Sequence, residues 1–194
     1  MSPRTKLALM MALFVLPTLA SFVVFYLFPP TKTSNYGELI SPVVNLPQLP
    51  LSVTDGTDAP EGAGAQGFRG KWLIITRDGG TCEAACEQKL FAMRQSRLIV
   101  GRELDRVVRV VLVDDDSQPS DKLIKRYQGT AWVLAKSSPW LARLPVPQQD
   151  ASNGRNYFYA VDPLGNVFMR YASDADVKLL AKDLQRVLKA SQIG

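Results

Sequence analysis

The chain opens on an unbroken apolar run. Leu7–Phe28, LALMMALFVLPTLASFVVFYLF, carries no charge. At ~1.5 Å rise per residue it reaches about 33 Å as a helix, enough to cross a hydrocarbon core of ~30 Å. A cleaved signal peptide has an apolar stretch of only ~7–15 residues followed by a small-residue cleavage motif. Bulky Phe25, Tyr26, Leu27 and Phe28 occupy that place instead. The pattern predicts a retained transmembrane anchor over residues 7–28, with Pro17 tolerated in mid-span. Arg4 and Lys6 precede the span and no acid does. The positive-inside rule then keeps residues 1–6 cytoplasmic and puts the rest across a bacterial inner membrane, in the periplasm.

After the span the periodicity changes. Residues 29–48 carry Pro29, Pro30, Pro42 and Pro47 with few periodic apolar positions, and are expected to be a tether. Residues 49–194 are expected to form one domain. Leu49, Leu51 and Val53 alternate up to Asp55-Gly56, the pattern of a short strand or hairpin arm, and residues 56–67 are a loop on composition. Lys71–Thr76 is a buried-type strand closed by Asp78-Gly79-Gly80. Glu83–Val100 is predicted helical up to Gly101, with Cys86, Leu90 and Met93 on one stripe. Val107–Val113 is a β-branched strand, followed by Asp114-Asp115-Asp116 and a short helix over Asp121–Tyr127. No regular element is predicted for residues 128–155. Tyr157–Val161 and Val167–Tyr171 are strands joined by the turn signal Asp162–Asn166. Asp174–Ala190 closes the chain as an amphipathic helix with Val177, Leu180, Leu184, Val187 and Leu188 inward. A βαβ unit, an antiparallel hairpin and a closing helix make the thioredoxin-like α/β arrangement, here behind one N-terminal transmembrane helix.

Composition narrows the chemistry. The 194 residues include no histidine, which removes Ser-His-Asp and Cys-His pairs and imidazole metal ligands. Two cysteines cannot make a four-cysteine zinc site or a cysteine-ligated iron–sulfur cluster. Without Arg4 and Lys6, the 23 basic residues fall to 21 against 18 acids, a net +3 that gives no ground for a nucleic-acid partner. Lys89, Arg94, Arg97, Arg102, Arg106 and Arg109 are expected to be a solvated face, the alternative being a docking patch for an acidic partner.

What remains is Cys82-Glu83-Ala84-Ala85-Cys86, two thiols one helical turn apart and, at roughly 6 Å between Cα atoms, within disulfide reach. With Thr81 as N-cap, Cys82 takes the first helical position, where the helix dipole favours a thiolate, while Glu83 and Glu87 oppose it. Cys86, on the core-facing stripe, is expected to be the less accessible sulfur, which suits an attacking Cys82 and a resolving Cys86. A purely structural disulfide is the competing reading, although so small a loop constrains the unfolded chain little. Both thiolates together are also candidate Cu(I) ligands, with Met93, Met169 or Asp114 as a third donor. The Asp114–Asp116 run is expected to be a solvated loop that caps the next helix.

The single N-terminal span, Gly70-Lys71-Trp72, the CxxxC pair and the Tyr159–Gly165 hairpin (Tyr-x-Val-Asp-Pro-x-Gly) resemble the Sco/SenC family. Asn35–Ile40, Met93-Arg94-Gln95 and the ending Lys189–Gly194 are similar to small β-proteobacterial proteins of that kind. The resemblance implies a membrane-anchored thioredoxin-fold protein that helps assemble the copper centre of cytochrome c oxidase, as thiol reductant or copper chaperone. Its partners would be an oxidase subunit or other assembly factors. Cys82 and Cys86 match the family's cysteines, but the stretch that supplies its third ligand, a histidine, is Asn153–Tyr157 here and has none. Residues 148–156 also lack the proline that thioredoxin oxidoreductases place before the hairpin. Three functions stay open on these residues: thiol–disulfide exchange, Cu(I) carriage by two thiolates, and a redox-inert interaction scaffold.

Overall fold

The computed structural model describes residues 2–28, 34–47, 53–54 and 68–193. The loop expected at 56–67, the Asp55-Gly56 turn, and Leu49 and Leu51 lie outside the described residues. The chain divides into two compact units, Met1–Ser34 and Asn35–Gly194.

The first unit is helix α1 (Pro3–Leu27), capped by the Ser2 hydroxyl, which accepts from the Thr5 N–H. None of its residues is buried, and its most apolar stretch has a mean hydropathy of 2.4. Pro17 sits inside the helix without ending it. A helix that exposes apolar side chains all round suits hydrocarbon and not water. It is a candidate membrane span.

The second unit is built on a seven-stranded sheet. In chain order the strands are β1 (Glu38–Asn45), β2 (Val53–Thr54), β3 (Trp72–Asp78), β4 (Val107–Val113), β5 (Thr130–Leu134), β6 (Tyr157–Val161) and β7 (Asn166–Ala172). Across the sheet they run β1-β7-β6-β3-β4-β5-β2. β3, β4 and β5 are parallel, and the remaining pairings are antiparallel. Helices α2 (Ala84–Val100), α3 (Asp121–Arg126), α4 (Pro139–Arg143) and α5 (Val177–Ala190) also belong to the unit, with a 3-10 helix over Gly101–Arg106.

Period-two alternation divides the core between the two faces. Leu73, Ile75, Val108, Val110, Leu112, Val133, Tyr159 and Val161 pack on one side with Trp140 from α4. Trp72, Ile74, Val107, Phe158 and Ala160 pack on the other with Met93 of α2 and Leu180, Leu184 and Leu188 of α5. Val111, Val113 and Trp132 continue that second side beneath the cysteines, Leu90, Leu123 and Tyr127. Every residue of β4 is buried, which explains why five of the seven residues of Val107–Val113 are valine.

Three departures from expectation have physical causes. Residues 38–45 are not tether: they form edge strand β1 against β7, and Pro42 is tolerated because an edge strand has one unpaired side and the register shifts between Leu39 and Val44. Their mostly exposed residues left no hydrophobic alternation to find. They are held partly by the buried Asp183 carboxylate of α5, which accepts from the Tyr36 and Gly37 N–H groups at 2.8 and 2.9 Å. Gly37 itself allows a close approach, since a Cβ there would lie 2.4 Å from the Tyr171 ring. Second, β5 and α4 occupy part of the stretch for which nothing regular was predicted; a five-residue strand gives too short a run for periodicity to register. Third, the basic residues are not a uniformly solvated face. Lys89 and Arg109 are each 4% exposed, and Arg106 donates to the carbonyls of Leu188, Ser191 and Ile193.

Replacing Asp183 with alanine leaves two N–H groups without their acceptor, so Asp183→Ala is expected to cost about 2–3 kcal/mol in denaturant unfolding of the full chain in detergent. An unchanged unfolding midpoint would show that β1 is not held this way.

Candidate functional site

Leaving β3, the chain turns through Asp78–Thr81 before α2 begins, and this turn is built against the carboxyl end of β4. The Asp115 carboxylate accepts from the Gly80 N–H at 3.1 Å and from the backbone and hydroxyl of Ser117, and the Ser117 hydroxyl accepts from the Thr81 N–H at 3.0 Å. The approach is so close that a Cβ on Gly80 would lie 2.3 Å from the Ser117 carbonyl oxygen. Asp115 therefore holds the cysteine loop and does not cap α3, whose cap is the Ser120 hydroxyl. These hydrogen bonds hold the Asp115 carboxyl below its ordinary range, the Ser117 hydroxyl contributing most.

Cys82 and Cys86 form a disulfide with Cα atoms 5.1 Å apart. The helix cap lies two residues later than expected. Glu83, not Thr81, is the N-cap, so Cys82 lies just outside the helix in the left-handed conformation, φ +48°. Cys86, the third residue of α2, is the sulfur within the first turn, where unpaired N–H groups and the helix dipole favour a thiolate. The expected difference in access holds in direction: Cys82 is 7% exposed and Cys86 2%. Cys82 also lines a cleft of about 130 Å³ with Glu87, Ser120, Lys122 and Arg126. The Glu87 carboxylate is paired to Arg126 at 2.8 Å, which blunts its opposition to a nearby thiolate.

On the same face of α2 as Cys86, one turn on, lies Lys89. Its three N–H donors are all engaged: the Asp78 carboxylate at 2.6 Å, the Arg77 carbonyl at 2.9 Å and the Arg155 carbonyl at 2.7 Å. Burial pushes its pKa down, partly countered by Asp78. One ammonium thus joins the end of β3, the first turns of α2 and the loop before β6.

That loop occupies the place where the Sco/SenC resemblance expects a histidine ligand. Asn153 and Gly154 both have positive φ, and Arg155 turns its guanidinium onto Asp114, at 2.5 and 3.0 Å. Arg77 meets the same carboxylate at 2.6 Å. Burial alone would raise the Asp114 pKa, but the hydrogen bonds from Arg155 and Arg77 outweigh it and hold the carboxyl below its ordinary range.

The candidate third copper donors are thus not assembled at the sulfurs. Asp114 is closed by two guanidiniums, while Met93 and Met169 lie in the core cluster with Trp72 and Phe158, apart from the cluster of the cysteines. The Met169 sulfur accepts from the Tyr171 hydroxyl. Among the described residues, no three His, Cys, Asp or Glu side chains form a metal-holding group. The donor set fits a two-sulfur chemistry and does not fit three-coordinate Cu(I). Two functional contributors escaped sequence reasoning: Asp115 as loop holder and Lys89 as clamp. The neighbouring turn signal Asp78-Gly79-Gly80 pointed to the first, and the i, i+3 spacing from Cys86 to the second.

Gly80→Ala cannot keep the turn without moving the 115–118 loop, and is expected to lower stability by about 1–3 kcal/mol in urea unfolding; an unchanged midpoint would contradict the packing. Asp114 titrates lower folded than unfolded, so its stabilisation is full above the unfolded value of ~3.9 and is lost as pH falls through the depressed folded value. The melting temperature of Asp114→Asn is expected to fall less steeply than wild type below about pH 4. Parallel acid profiles would contradict the assignment.

The geometry can be set beside known proteins. No curated protein sequence matches the chain. Solved structures share the fold at low identity. An SCO1/SenC family lipoprotein from Bacillus anthracis is 16% identical with a TM-score of 0.53, over 77% of this chain and 99% of that one. Yeast Sco1 with copper bound is 16% identical with a TM-score of 0.51, over 75% and 95%. Peroxiredoxin Q from Xanthomonas campestris gives 16% and 0.51, over 76% and 96%. A copper-bound Sco1 and a peroxiredoxin thus share this scaffold, and fold alone does not choose a function. A sequence-family model for a transmembrane-like, thioredoxin-like, C-terminal domain matches residues 72–191, from the first residue of β3 to the end of α5, and the chain belongs to that family.

Proposed function

We propose that the Cys82–Cys86 pair performs thiol–disulfide exchange on partner proteins during maturation of the cytochrome c oxidase copper centre. In this reading α1 anchors the chain in a bacterial inner membrane, residues 1–6 are cytoplasmic, and the sheet domain works in the periplasm. Support for the topology comes from the apolar helix and from Arg4 and Lys6 before it. The oxidase, as subunit or through its other assembly factors, enters through the resemblance to Sco/SenC proteins.

The observation that carries the chemistry is the asymmetry of the two sulfurs: Cys82, 7% exposed, at a cleft outside the helix, and Cys86, 2% exposed, in its first turn. In the reducing direction the Cys82 thiolate attacks one sulfur of a partner disulfide, and the other partner sulfur leaves as a thiolate. The Cys86 thiolate then attacks Sγ of Cys82 and releases the first partner sulfur. Two electrons pass to the partner, and the protein is left with its intramolecular disulfide. The helix amino terminus stabilises the Cys86 thiolate, which raises the fraction able to resolve the mixed disulfide and, in the reverse direction, makes Cys86 the better leaving group. The Sco/SenC resemblance implies that the oxidase's copper-site cysteines are the target, and reducing them would serve copper-centre maturation without a copper ligand set on this chain.

In cells that make the oxidase, Cys86→Ser in the full chain is expected to accumulate a mixed disulfide through Cys82, seen on non-reducing gels and abolished in Cys82→Ser/Cys86→Ser. An absence of trapped partner, with oxidase assembly intact in the double variant, would leave the domain as a redox-inert interaction scaffold. Cysteine-dependent Cu(I) binding by the reduced protein, without trapping, would favour the copper-carrier reading.

A further inference from the structure

At the opposite end of the parallel strands from the cysteine loop, where β3, β4 and β5 begin, four cationic side chains converge. Lys71, Arg94, Arg97 and Arg109 line a cavity of about 480 Å³, within the size range of small-molecule sites. Arg109 lies on β4 and is 4% exposed. Its Nη2 donates to the Gln128 carbonyl at 2.5 Å, while Nε and Nη1 are buried without a hydrogen-bond partner among the described residues. Among the described residues no carboxylate pairs with it, and burial together with the charges of Arg97 and Arg94 depresses its pKa to about 10. The neighbours do not offset the excess. Arg97 Nε donates to the Val107 carbonyl at 2.7 Å and its Nη2 stands 3.9 Å from Asp105, whose side chain is 89% exposed. Arg94 reaches the Arg126 carbonyl at 3.4 Å, and Lys71 reaches the Asp105 carbonyl at 3.1 Å. Among the described residues, the cavity sets these four cations against one solvent-facing carboxylate, that of Asp105, around a buried guanidinium with donors to spare.

A buried, unpaired cation is costly, and clustered cations raise the cost. A single bound anion relieves both terms, and guanidinium forks suit the geometry of phosphate oxygens. We propose that this cavity is a binding site for a small phosphate-bearing anion, separate from the disulfide. Arg109 supplies the charge at its base, and Arg94, Arg97 and Lys71 supply the rim.

The test is equilibrium dialysis of labelled inorganic pyrophosphate against the full chain in neutral detergent, at ionic strength fixed with sodium chloride. Saturable one-site binding is expected, accompanied by a rise in melting temperature. Arg109→Met is expected to weaken binding about ten-fold or more. Because a buried substitution can disturb folding, Arg94→Gln/Arg97→Gln on the half-exposed rim serves as the second variant, with the same loss expected at an unchanged circular dichroism spectrum. Absence of saturable binding, or equal affinity in wild type and the rim variant, would overturn the proposal. Competition by glycerol phosphate, but not by the diester glycerophosphoglycerol, assigns the natural ligand to soluble phosphate esters. Competition by the diester assigns it to a phospholipid headgroup.

Discussion

Two adjacent carboxylates at the carboxyl end of β4 hold the candidate site of this domain in place. β4 is the most buried strand, so its end is a fixed point. Asp114 and Asp115 face different tasks from it. Asp115 accepts from Gly80 and fastens the loop that presents Cys82, and Asp114 takes both Arg77 from β3 and Arg155 from the loop before β6. Lys89 completes the frame by donating to Asp78, Arg77 and Arg155. Charge-assisted hydrogen bonds of this kind are stronger than neutral ones, and several of them in sequence rigidify a site. The disulfide is therefore mounted on a satisfied polar network and not on the hydrophobic core alone.

The same network bears on the proposed preference for sulfur chemistry. Where a third soft donor would be needed, it places a guanidinium and an ammonium already committed to carboxylates. The helix amino terminus is the remaining electrostatic lever, and it acts on Cys86 because α2 starts at Ala84. Cys82, held just outside in a left-handed conformation, lines the cleft and is the more exposed of the two. Access and thiolate stabilisation are thus divided between the two cysteines.

The regular part of the fold was legible because its signals are long or strongly periodic: the α1 run, the β-branched Val107–Val113 strand, the Leu180, Leu184 and Leu188 stripe, and the Asp162–Asn166 hairpin turn. β1 was not, because it is recruited by backbone pairing and by Asp183 from a distant helix, neither of which leaves a local pattern. β5 is too short to show a period. The cysteine pair was visible by spacing, but the start of α2 was displaced by two residues, since the tight turn at Gly79-Gly80 places Cys82 before the cap and not after it. Burial of Lys89 and Arg109 could not be read from charge count; it depends on partners and cavities that only the packed structure brings together.

The most direct test of a working thiol pair is its equilibrium reduction potential, measured on the full chain in detergent against glutathione or dithiothreitol buffers. A pair whose reduced form is favoured by the helix amino terminus, and which exchanges with partners, has a potential above about −250 mV, among the known exchange catalysts. A potential below about −300 mV would make Cys82–Cys86 a structural clasp and contradict redox exchange.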